Sequence, residues 1–124
     1  MKIINTPKAP TPVGPYSQAI VVDNFIFCSG QIGLDPNTNR LVEGLENQFH
    51  QIMQNIRSIL EEAGTSLDKV VKVTIFITDI SKFSMVNELY SQYFSDHKPA
   101  RSTVEVSNLP KNALIEIEVL AVIN

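Results

Sequence analysis

The chain has 124 residues, 44% hydrophobic and 19% charged, which is one domain's length with enough apolar mass to bury a core without disulfides. A net charge of -3 and ten scattered Lys and Arg residues provide no polyanion-binding surface, which argues against nucleic acid and anionic lipid as ligands. The single cysteine, Cys28, rules out an internal disulfide and a thiolate-rich metal site. No stretch approaches the ~20 apolar residues of a membrane span, and MKIINTPKAP lacks the apolar core of a signal peptide, so a soluble cytoplasmic protein is expected.

Residues 6–15, TPKAPTPVGP, hold four of the seven prolines and should run extended, as an ordered arm or a loop. Strands are predicted at about 18–23 and 25–30, joined at Asp23-Asn24, a pair that tolerates positive φ and suits a tight hairpin. The polar, turn-rich stretch 34–44 reads as a surface loop. From Leu45 to Ala63 the apolar residues recur at steps of three and four, one helical stripe closed by Gly64 as C′ residue.

VVKVTIFI, residues 70–77, is β-branched and aromatic and reads as a central strand. Over 82–94, Phe83, Val86, Leu89, Tyr90, Tyr93 and Phe94 return on one helical face, with Asp79 or Ser81 placed to cap its start. Two further strands are predicted at 102–107 and 114–123, joined through SNLPKN, where Pro110 ends the ladder. The fold class is therefore α+β: a mixed sheet with two helices on one face. The other face needs its own cover, and with Lys72, Thr74, Glu105, Glu116 and Glu118 in the strands, a symmetric homo-oligomer is expected.

The P-loop, HExxH, paired CxxC and GxSxG patterns are all absent. His50 and His97 read as ordinary polar residues and Cys28 as an inert buried thiol, so no metal ligand set is expected. Four polar residues remain at strand ends: Tyr16, Ser29, Arg101 and Glu116. Each has a structural reading, as ring cap, turn closer, surface ion pair and solvent-facing strand residue respectively, and residue type alone does not decide between that and a site.

GPYSQA (14–19), SGQIG (29–33), HKPARSTVEVSNLP (97–110) and EIEVLAV (116–122) together resemble the signatures of the Rid family, the reactive intermediate deaminases, and most closely its RidA subgroup. The resemblance implies a chorismate-mutase-like fold assembled as a homotrimer, with a central barrel of sheets, helices outside and sites between subunits. It implies hydrolysis of 2-iminopropanoate and 2-iminobutanoate, the imine tautomers of enamines released by pyridoxal-phosphate-dependent dehydratases, to 2-keto acid and ammonia, without a cofactor. Carried over to this chain, Arg101 binds the substrate carboxylate and Glu116 orients water or handles a proton. Tyr16, Ser29, Gly30, Asn87 and Thr103 line the pocket.

The chain departs from the family at Thr103, where cysteine is common, at Gly33, where proline is common, and in SNLP, where ARLP is frequent. The alternative from another class is a non-catalytic module that holds a small carboxylate, or binds a protein, in the same clefts. Ribonuclease activity, attributed to some family members, would want a positioned acid-base pair and clustered cations. Chorismate mutase activity would rest on the shared fold alone, and its dianionic substrate would want more than one cleft cation.

Overall fold

The computed structural model describes residues 1–124. Six strands and two α-helices follow in the order β1 (Lys2–Ile4), β2 (Ala19–Val22), β3 (Phe25–Cys28), α1 (Leu45–Glu62), β4 (Val70–Ile77), α2 (Phe83–Ser91), β5 (Ala100–Glu105) and β6 (Ile115–Val122). They form one mixed sheet in the order β1-β2-β3-β6-β4-β5. Only β4 and β5 pair in parallel, and α2 provides the crossover that parallel neighbours require.

The α1 stripe buries Phe49, Ile52, Met53, Ile56, Ile59 and Leu60 against the sheet. Each such side chain stabilises the fold by about 1.5–3 kcal/mol relative to exposure. Gly64, at φ 83, ends the helix as predicted: its N–H donates to Glu61 O at 3.0 Å and that of Thr65 to Leu60 O at 2.9 Å, which satisfies the last carbonyls. The Asp79 carboxylate accepts from the Ser81 N–H at 3.0 Å and caps the short 3-10 turn Ile80–Lys82 that leads into α2.

Side-chain alternation divides the sheet. Ile26 and Cys28, Val73, Ile75 and Ile77, and Ile115, Ile117, Val119 and Ala121 point under the helices and are buried. The opposite, open face carries Phe25 and Phe27, 43% and 50% exposed, with Val104 and the polar Lys72, Thr74, Glu116 and Glu118. The half-covered sheet expected from the pattern is therefore present. No helix is long and apolar enough to cross a membrane.

Three elements differ from expectation. β1 adds a sixth strand, which pairs Ile4 with Ala19, because three residues are too few to show a period in sequence. α2 stops at Ser91, three residues early, although Phe94 stays buried through a last bond from its N–H to Tyr90 O. β5 begins at Ala100, so Arg101 lies inside the strand, opposite Val73.

Candidate functional site

Where residues 10–13 cross the ends of β3 and β6, a pocket of about 430 Å³ opens on the uncovered side of the sheet. Tyr16, Ser29, Gly30 and Glu116 all line it, together with Gln31 and Glu118. Ser29 ties the pocket to the start of β2: its N–H donates to Gln18 O at 2.9 Å and its hydroxyl to Ser17 O at 2.6 Å. Gln31 exchanges backbone bonds with Ile117 at 2.9 and 3.1 Å, which presses Gly30 against β6.

That pressure explains the glycine. A Cβ on residue 30 would stand 2.8 Å from Glu116 Cδ and 3.1 Å from its Cγ, so only a residue without a side chain lets the carboxyl lie across the chain. Half-buried there, Glu116 is pushed above the ordinary glutamate pKa, chiefly by burial and secondarily by Glu118 on the same face. A carboxyl raised in this way can exchange a proton closer to neutral pH than an ordinary glutamate can.

Arg101, Thr103 and Asn87 lie elsewhere. Arg101 shares the helix-side face with its partner Val73 and stacks under α2, its guanidinium carbon 4.7 Å from the Tyr90 ring centroid and 5.5 Å from that of Phe83. These cation–π contacts hold the cation, and no carboxylate of its own chain pairs with it. Asn87 lies on the α2 stripe between the two rings. Thr103 is two residues along the same face of β5, and its hydroxyl and that of Tyr90 are buried without a hydrogen-bond partner.

The expected residues therefore form two groups within one chain. Arg101 pairs with Val73 and Glu116 with Phe76, three residues apart on β4, and the two strands flank β4. That places their Cα atoms roughly 10 Å apart along the strands and roughly 10 Å across them, with the side chains on opposite faces. A three- or four-carbon acid cannot touch both in one protomer.

The other candidates read as expected. Burial pushes the Cys28 thiol up to about 12, beyond use as a nucleophile at neutral pH. His50 hydrogen-bonds through Nδ1 to the Tyr93 hydroxyl and His97 through Nε2 to Val70 O, on separate elements. No three His, Cys, Asp or Glu side chains converge as a metal site would need. Sequence reading missed Glu118, Gln31, the 10–13 wall, the ring pair over Arg101 and the buried Gln18; the last lay within the quoted GPYSQA, but burial of an amide has no sequence signature.

Residues 6–123 match the family described as endoribonuclease L-PSP. A RutC family protein of Aquifex aeolicus is 58% identical over 124 residues, covering 98% of this chain and 99% of its own. The human 2-iminobutanoate/2-iminopropanoate deaminase is 46% identical over 122 residues, covering 98% and 89%. Among solved structures, RidA from an Antarctic Psychrobacter superposes with a TM-score of 0.96 at 44% identity, over 98% of this chain and 99% of that one. Identity at this level along nearly the whole length settles the kinship: the chain belongs to the endoribonuclease L-PSP family, the YjgF/RidA proteins.

Proposed function

We propose that this protein hydrolyses short 2-imino acids, 2-iminopropanoate and 2-iminobutanoate, to 2-keto acid and ammonia in the cytoplasm, as a homotrimer whose sites are shared between neighbouring subunits. In each site, Arg101, Thr103 and Asn87 of one protomer face Tyr16, Ser29, Gly30 and Glu116 of the next. The separation of the two groups within one chain supports this arrangement, as do the exposed Phe25, Phe27 and Val104 on the open face, which a barrel of three sheets would cover. The name of the human relative supports the reaction class.

The observation that carries the reading is the Glu116 carboxyl, half-buried over Gly30 in a pocket of about 430 Å³, large enough for a small acid and a water. The guanidinium fork of Arg101 takes the substrate carboxylate through two parallel hydrogen bonds, which fixes C2 over the pocket. Water adds to C2 of the protonated imine while Glu116 accepts a proton from it, giving a carbinolamine. Glu116 then returns that proton to the amino nitrogen; as the C–N bond breaks and ammonia leaves, the hydroxyl gives its proton to the Glu116 carboxylate and closes to the ketone, and that proton passes on to solvent or to the departing ammonia. A carboxyl whose pKa is raised toward neutrality serves both transfers better than an ordinary one. Addition of water to C=N involves no change of oxidation state and no covalent enzyme intermediate.

Two carboxylates in the pocket, Glu116 and Glu118, repel phosphate, which disfavours RNA cleavage there. The test couples purified protein to a threonine dehydratase and follows trapping of the released imine. Wild type should shorten the imine's lifetime, and Arg101→Ala should leave it near the uncatalysed value at unchanged oligomer size. A wild type that binds 2-oxobutanoate but leaves the lifetime unchanged would make this a carboxylate-binding module instead.

A further inference from the structure

Gln18, at the edge of the pocket, is a buried polar side chain, 2% exposed, and every polar atom of its amide is used. Its Oε1 accepts from the Thr6 N–H at 2.7 Å. Its Nε2 lies 3.0 Å from Thr6 O, 3.0 Å from Pro10 O and 3.4 Å from Ala9 O. One side chain thus gathers three carbonyls of the segment that continues from β1 and crosses the pocket as Pro10, Thr11, Pro12 and Val13.

Apart from the burial of Thr6, Ala9 and Pro10, that segment has few bonds to hold it. With proline at 7, 10, 12 and 15 it lacks four N–H donors and joins no strand. Its own backbone bonds are Ala9 N–H to Thr6 O at 3.4 Å and Tyr16 N–H to Gly14 O at 2.9 Å. At the far end the Val13 N–H donates to the Tyr16 hydroxyl at 3.3 Å. The result is a strap, fastened by Gln18 at one end and Tyr16 at the other, whose outer span is an apolar wall of the pocket.

We propose that Gln18 is a positioning residue that fixes the strap 6–13 against the pocket, and that Pro12 and Val13 on that strap set the largest substrate side chain the pocket accepts. This rests on the imine-hydrolase reading above. Short, unbranched 2-imino acids fit beneath the strap as Gln18 holds it; branched or aromatic ones require it to lift.

The test compares kcat and KM for 2-iminobutanoate with those for the branched imine made from leucine by an amino-acid oxidase, in wild type, Gln18→Ala, Gln18→Glu and Val13→Ala. Gln18→Ala should raise KM for the short substrate with kcat little changed and shrink its preference over the branched one about tenfold, the scale of selectivity a well-fitted apolar wall provides. Gln18→Glu adds a reading that mere destabilisation would not produce. Protonated, the new side chain still accepts from Thr6 N–H and donates to one carbonyl; ionised, it faces three carbonyl oxygens with no hydrogen to offer. Its KM, taken relative to wild type because Glu116 and Glu118 line the same pocket, should therefore improve as pH falls.

Val13→Ala leaves the Gln18 bonds intact and should raise kcat/KM for the branched substrate. It decides the matter if the Gln18 variants fail to fold. Unchanged selectivity in the folded Gln18 variants, or in Val13→Ala, would overturn the proposal. Binding of 2-oxobutanoate against 4-methyl-2-oxopentanoate, by calorimetry, reads the same selectivity without turnover. A wild type that hydrolyses no imine would therefore sink the activity while leaving the strap still testable.

Discussion

Gly30 lies directly beneath the Glu116 carboxyl, so close that a methyl group on residue 30 would meet the carboxyl carbon at 2.8 Å. The obstructing atoms belong to the end of a flexible side chain rather than to backbone, so Gly30→Ala should fold and displace Glu116 instead. Imine hydrolysis should fall about tenfold to a hundredfold, mostly in kcat, with stability within about 1 kcal/mol of wild type. Denaturant titration and steady-state kinetics on the same preparation check both halves. Full activity in the alanine variant would show that Glu116 need not lie where it does.

The raised pKa of Glu116 makes a separate prediction about stability. Its folded-state value exceeds the unfolded one, so the folded state binds the proton more tightly, and the stability this confers is present at low pH and lost as pH rises through the folded pKa. Glu116→Gln removes the ionisation. The variant should be more stable than wild type at pH 7, and the difference should vanish below about pH 4, near the ordinary glutamate value. Urea titrations at the two pH values read this, and a gap that widened toward acid would contradict it.

Arg101→Lys keeps the charge but loses the planar fork and much of the stacking on Tyr90 and Phe83. KM should rise at least about tenfold, the usual cost of losing one charge-assisted hydrogen bond, with thermal stability little altered. An unchanged KM would mean that a point charge suffices and that bidentate binding is not used.

The Thr103 hydroxyl is buried without a partner. Thr103→Val replaces it with a methyl of similar shape and should stabilise the protein by about 1 kcal/mol, the lower end of the cost of an unsatisfied buried group. Imine hydrolysis should persist if Thr103 lines the site through its main-chain carbonyl, a group that the substitution leaves unchanged. If the valine variant lost activity while remaining folded, the hydroxyl would be a substrate or water contact.

Periodicity was enough to find most of this fold. Phe49 to Leu60 spells a buried stripe, VVKVTIFI a central strand, and Asp23-Asn24 a hairpin in which Asp23 takes the positive φ, at 52°. β1 stayed hidden because three residues carry no pattern, and the end of α2 because Tyr93 and Phe94 still bury apolar surface after the helix stops. Candidate site residues could be named from sequence, but their geometry could not be. Alternation tells which residues of one strand share a face; only the register of β4 with both β5 and β6 shows that Arg101 and Glu116 lie on opposite faces. Gln18 was illegible for another reason: its importance lies in burial and in carbonyls twelve, nine and eight residues away.

Complementation between two inactive variants tests most directly whether a site draws on two chains. Arg101→Ala and Glu116→Gln should each be nearly inactive alone. Unfolded together in equal amounts and refolded, they should form mixed trimers if the proposed assembly holds, each intersubunit site then having a half chance of an intact Arg101 and an independent half chance of an intact Glu116. About one quarter of wild-type imine hydrolysis should return. No recovery above the separate variants, in trimers shown to be mixed, would place both residues in the same subunit's site and contradict the account.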